Sequence, residues 1–181
     1  MKTFRRIFRY LNKYFMVPAF KLGLGPFMGN PITGYIMVLK TIGRKSGLMR
    51  YAPVNYAIYN GNIYCLSGFG KVAHWYKNLI ANPQIEMIMP SGIFSGNAVA
   101  VTDVDEKLSM MRQIMKNSGF ASFMAGINAF TISDEDLREK GAEMIVIRIT
   151  PNGIFAGTVD PGGWLWAWLT IAAIIILTLV F

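Results

Sequence analysis

Leu39-Lys40-Thr41-Ile42-Gly43-Arg44-Lys45-Ser46-Gly47-Leu48-Met49-Arg50 is the stretch on which the reading of this chain turns. Residues 35–41 and 50–59, on either side of the turn, are rich in β-branched and aromatic side chains, and two glycines bracket the basic residues between them. That pattern predicts a strand, a tight loop and a second strand. Gly43 and Gly47 allow positive φ and let consecutive N–H groups face one point. Arg44 and Arg50 offer planar guanidinium forks, Lys45 a point charge and Ser46 a hydroxyl, a donor set suited to a phosphate. A solvated basic hairpin turn is the other reading of the same residues.

Strand signals recur over residues 35–41, 48–59, 62–67, 84–89, 93–102 and 144–149. Asn60-Gly61 is a type I′ hairpin signal and Pro90-Ser91-Gly92 a second turn. Six strands joined mostly by tight turns predict an antiparallel sheet that closes on itself. Helices are expected over 73–81, ended by Asn82-Pro83, and over 103–117, with Leu108, Met111, Ile114 and Met115 on one face. A short apolar piece at 120–130 and an acidic helix at 133–140 complete the set.

A second motif follows the first: Pro53, then Ser67-Gly68-Phe69-Gly70-Lys71-Val72-Ala73-His74-Trp75-Tyr76-Lys77-Asn78-Leu79-Ile80-Ala81-Asn82-Pro83. With Thr-x-Gly-Arg-Lys-Ser-Gly ahead of it, Trp-Tyr-x-Asn-Leu-x-Ala-Asn-Pro resembles the deazaflavin (coenzyme F-420)-dependent nitroreductase and quinone reductase family, over about residues 35–150. The resemblance implies an α+β fold, an antiparallel split β-barrel of the FMN-binding-like kind, and an oxidoreductase that takes a hydride from reduced deazaflavin. It implies that Arg44, Lys45, Ser46 and Arg50 take the cofactor's phosphate and acidic tail, and that Pro53 and the strand around Asn55 line the ring. Gly68, Lys71, Trp75 and Asn78 complete the expected cofactor site. Core packing for Trp75 and a capping or loop-tethering role for Asn78 are the structural alternatives, as FMN or heme is to the deazaflavin.

The sequence departs from the family pattern where members often place tyrosines near the substrate. No tyrosine follows Tyr76, and the matching run, Ser118-Gly119-Phe120-Ala121-Ser122-Phe123-Met124, leaves Ser118 and Ser122 as the hydroxyl candidates for catalysis. Phe120, Phe123 and Met124 would form an apolar substrate wall, which suits a quinone-like lipophilic acceptor better than a nitro compound. A non-catalytic accessory or assembly subunit of a larger membrane protein complex is the alternative from another class.

Among 181 residues the net charge is +8, unevenly spread. Residues 1–85 hold twelve basic residues and no acidic one, whereas residues 86–181 hold six basic and ten acidic. Anionic lipid or a phosphorylated cofactor fits the first half; nucleic acid does not, because no DNA- or RNA-binding signature accompanies the charge. Residues 1–16 read as an amphipathic basic helix on a membrane surface, or else packed on the barrel. Residues 17–34, with prolines 18, 26 and 31, read as an apolar linker, and 35–160 as the barrel. Residues 163–181 carry no charge, and Trp164, Trp166 and Trp168 crowd one end, which predicts a single transmembrane helix holding the barrel on the cytoplasmic side. Cys65 and His74 are single, too few for a disulfide or an ordinary zinc site, so no metal is expected.

Overall fold

The computed structural model describes residues 10–28, 34–124, 126–154 and 165–180. Six strands, β1 (Ile36–Ile42), β2 (Met49–Tyr59), β3 (Asn62–Ser67), β4 (Gln84–Met89), β5 (Gly92–Ala100) and β6 (Ile145–Ile154), form a closed barrel in the order β1-β2-β3-β6-β5-β4. Every pairing is antiparallel, and β1 closes the ring against β4 through Val38↔Ile88 to Lys40↔Glu86. Between β2 and β3, Asn60 (φ 48°) and Gly61 (φ 72°) both take the left-handed conformation that a type I′ turn requires.

Alternation along the strands sorts the side chains into two layers. Met37 and Leu39, Ile63 and Cys65, and Ile147 and Ile149 fill the interior, while Val38, Tyr64 and Val146, each next to an interior residue in its strand, face outward. Leu79, from the helix His74–Ala81, joins the interior cluster fully buried. Burial pushes the Cys65 thiol far above its usual range.

Two helical covers lie on the outer face. The helix Val104–Lys116 packs Leu108, Met111, Ile114 and Met115 over Ala57, Tyr64 and Val146, and the Asp103 carboxylate caps it by accepting from the Glu106 N–H at 2.7 Å. Glu106 then ties the helix to the barrel, accepting from the Tyr64 hydroxyl at 2.9 Å and from Arg148 Nη1 at 2.9 and 3.2 Å. Burial, then the Glu106 hydrogen bond, raises the Tyr64 pKa.

The second cover differs from the sequence reading. Residues 10–21 form one helical run, so the stretch expected to be a linker from 17 continues as the helix Val17–Lys21, and a further turn follows at Gly25–Met28. Pro18 has no N–H to give, and the run accommodates it by widening into a π-turn over Asn12–Met16, where the Val17 N–H reaches back to the Asn12 carbonyl. Met16 and Phe20 are buried against Val38 and Ile88, so this helix packs on the barrel, with Tyr10, Leu11, Tyr14 and Phe15 left exposed. The rest of the expected 1–16 helix, residues 1–9, lies outside the described residues.

The expected membrane span finds no support in the structure. Of residues 163–181, those described form the helix Leu165–Val180. Among the described residues no helix is long and apolar enough to cross a membrane. Gly163, Trp164 and Phe181 lie outside the described residues, as do the side chains of Trp166 and Trp168.

The interior layer should dominate stability. Leu79→Ala is expected to cost about 2–5 kcal/mol in urea denaturation, whereas Ile58→Ala, on the exposed face of β2, should stay within about 0.5 kcal/mol.

Candidate functional site

β2 is the longest strand, and its two neighbours do not share it evenly. β1 pairs with Met49 to Asn55, but β3 pairs only with Tyr56 to Tyr59. The first seven residues of β2 therefore have one free edge, where the barrel splits. Along such an edge backbone N–H and C=O groups have no ladder partner, and Pro53, which has no N–H, is tolerated in just such a strand.

A cavity of about 1080 Å³ runs along this edge, lined by every residue from Met49 to Asn55. Leu66, Gly68, Phe69, Ala73, His74, Trp75 and Asn78 also line it. Leu11 to Lys13 and Phe15 to Val17 of the N-terminal helix, with Ile36, Phe120 and Ala121, complete the wall.

The turn between β1 and β2 is built as the glycine spacing suggests. The Gly43 N–H donates to the Leu48 carbonyl at 2.8 Å, and the Gly47 N–H, at φ 66°, donates to the Gly43 carbonyl at 2.7 Å. A Cβ on Gly43 would stand 2.8 Å from Ser46 Oγ and 3.0 Å from the Leu48 carbonyl oxygen, so no larger residue fits. Ser46 Oγ accepts from the Leu48 N–H and from Arg50 Nη2 at 3.4 and 3.3 Å. Asn78, buried on the His74–Ala81 helix, holds the turn from the other side: its Oδ1 accepts from Arg44 Nη1 at 3.1 Å and from the Arg44 N–H at 3.3 Å.

Arg44, Lys45 and Arg50 share this one turn, and among the described residues none has a carboxylate partner. Like charges held together repel unless an anion sits among them, and the restraint of Arg44 by a neutral amide leaves its charge available. Thr41, which pairs in register with Arg50, keeps a buried hydroxyl without a hydrogen-bond partner at the root of the turn. The donor set fits an anionic group next to a cavity with apolar walls.

Of the residues singled out in the sequence, Arg44, Lys45, Ser46, Arg50, Pro53, Gly68, Trp75, Asn78 and Phe120 come together in the cavity wall. Lys71, Phe123 and Met124 are exposed and stand outside it. Ser118 and Ser122 are buried away from it, their hydroxyls donating to the carbonyls of Ile114 at 2.7 Å and Gly119 at 3.2 Å. Sequence reasoning missed Asn12, Lys13, Tyr51 and His74 as lining residues. For the first two the signal was present: Pro18 inside an apolar, helix-forming run marks a distorted helix rather than a linker.

A family model described as F-420H(2)-dependent quinone reductase matches residues 19–129, well over half of the chain. The chain belongs to that family. Its split barrel and cationic turn are thus those of an oxidoreductase of the F-420H(2)-dependent quinone reductase family, with coenzyme F-420 as cofactor. No curated protein sequence matches. Solved structures are similar in fold: a candidate 5-nitroimidazole antibiotic resistance protein of Bacteroides thetaiotaomicron is 15% identical, covering 66% of this chain and 74% of its own, with a TM-score of 0.50. A candidate pyridoxamine 5′-phosphate oxidase of Listeria innocua is 16% identical over 73% of this chain and 92% of its own, with a TM-score of 0.50. An F-420H(2)-dependent reductase, FDR-A, is 20% identical over 63% and 92%, with a TM-score of 0.42.

The Arg44–Asn78 contact is testable as a unit. Arg44→Ala and Asn78→Ala should each weaken binding of the reduced coenzyme by about 1.5–3 kcal/mol, the scale of a hydrogen bond to a charged group. The double variant should lose clearly less than the two losses added together, because both remove one interaction. Isothermal titration of the four proteins reads this directly, and full additivity would mean that Asn78 does not position Arg44.

Proposed function

We propose that this protein reduces a lipophilic quinone with reduced coenzyme F-420, and that the free edge of β2 is where the two meet. The observation that carries the reading is one cavity joining three cations, none with a carboxylate partner among the described residues, to apolar walls. When bound, the coenzyme supplies a hydride from a ring carbon. Arg44, Lys45 and Arg50 hold its anionic portion, and Ser46 adds a hydroxyl contact. Pro53 and Trp75 flank the ring.

Leu11, Phe15, Val17, Ile36, Phe120 and Ala121 give the acceptor an apolar berth and exclude water from it. A quinone with an isoprenoid tail gains from such walls, whereas the oxygens of a polar nitro compound would be left without donors. Attachment to the cytoplasmic face of a membrane supports the same acceptor. Exposed Tyr10, Leu11, Tyr14 and Phe15, the exposed Ile171, Ile174, Ile175 and Leu179 of the C-terminal helix, and the basic excess of residues 1–85 suit contact with an anionic lipid surface.

In liposomes, bound reduced coenzyme should be oxidised by menaquinone in a single turnover clearly faster than by a soluble nitroaromatic compound. Phe120→Asp should slow the quinone reaction about tenfold by placing a charge in the apolar wall. Equal rates with both acceptors, or no quinone reduction with coenzyme demonstrably bound, would overturn the assignment.

A further inference from the structure

Reduction of a quinone to a quinol takes two electrons and two protons. A hydride brings both electrons and one proton, so a second proton has to reach the quinol oxygen, and an acid in the cavity wall is placed to deliver it. The two serines considered from the sequence are buried outside the cavity wall and spend their hydroxyl protons on backbone carbonyls. The wall itself offers ammonium, guanidinium and phenol groups, which ordinarily hold a proton with pKa values of about 10 or above, and one imidazole, whose ordinary value is near ~6.5.

We propose that His74 is the acid that protonates the reduced acceptor. His74 opens the helix His74–Ala81 and lies one turn before Asn78, on the same helical face as the amide that holds Arg44. It is exposed in the cavity wall and makes no hydrogen bond or ion pair among the described residues, so its ring is free to turn toward a ligand. Charged groups that line the cavity with it are cationic: Arg50 on β2, Arg44 and Lys45 on the turn that Asn78 holds, and Lys13 on the N-terminal helix, with Lys71 on the preceding turn. Lys40 on β1 is paired with Glu86, and β5 brings no titratable group. Among the described residues no carboxylate lines the cavity to supply the proton instead.

The step balances. The imidazolium N–H bond breaks, an O–H bond forms on the quinol oxygen that carries the negative charge after hydride arrival, and the neutral imidazole recovers a proton from water. The family's coenzyme supplies the electrons. This inference rests on the quinone-reductase reading.

Because the chain has a single histidine, imidazole resonances of the full-length protein in micelles report His74 alone. Titration of the coenzyme-free protein with menadione should shift them saturably, and carbethoxylation of His74 should slow when menadione is bound. His74→Asn should lower the single-turnover rate with menadione by about 10²-fold or more, the usual contribution of a general acid, with coenzyme affinity within twofold. Unmoved resonances with menadione bound, or a His74→Asn variant whose loss is confined to coenzyme affinity, would reassign the residue to anion binding and overturn the proposal. If the wild-type protein oxidises no quinone, the acceptor reading falls and this inference falls with it. Normal wild-type turnover with an unchanged His74→Asn rate sinks this inference alone.

Discussion

The uneven sharing of β2 is the constraint on which the site depends. An 11-residue strand paired by seven residues on one side and by four on the other leaves a gap in an otherwise closed ring. A closed barrel of this size fills its interior with side chains, and here Met37, Leu39, Met87, Ile147 and Ile149 do so. The interior is therefore unavailable to a large ligand, and binding moves to the split. Everything that lines the cavity, from the turn at Gly43 to the helix carrying Trp75 and Asn78, is placed by its relation to that edge.

The barrel was legible because each strand announced itself locally. Alternating β-branched and aromatic residues, Asn60-Gly61 and Pro90-Ser91-Gly92 carry short-range information, and β2, β3 and β4 lie within a residue or so of where their patterns put them. β6 runs on to Ile154, past Pro151 and Gly153, because pairing with β5 holds it extended through a register shift that no local pattern reveals. The N-terminal helix was misread for the opposite reason. Pro18 and the glycines argue for irregular structure one residue at a time, but burial of Met16, Ala19 and Phe20 against the barrel outweighs them, and a π-turn absorbs the misfit.

At the site, residue types were legible and partners were not. Three cations in one turn point to an anion whatever the fold. That Asn78, 34 positions away, would be the residue restraining Arg44 depends on how the helix docks across the split. The same holds for His74 and Lys13, which carry no motif of their own and enter the cavity only because two distant helices flank one edge. Ser118 and Ser122 illustrate the converse: hydroxyls attractive in sequence, committed in the fold to backbone carbonyls three or four residues back, as serines in or after helices often are.

Cys65 gives the fold a chemical resilience unrelated to its packing. Quinones are electrophiles that arylate thiolates, and a reactive cysteine near a quinone site would slowly be consumed by turnover. The only thiol in this chain faces the barrel interior with no accessible surface, and burial keeps it protonated. Folded protein should accordingly withstand excess quinone without covalent labelling and become taggable only on unfolding, so arylation of Cys65 would count opening of the barrel rather than encounters at the cavity.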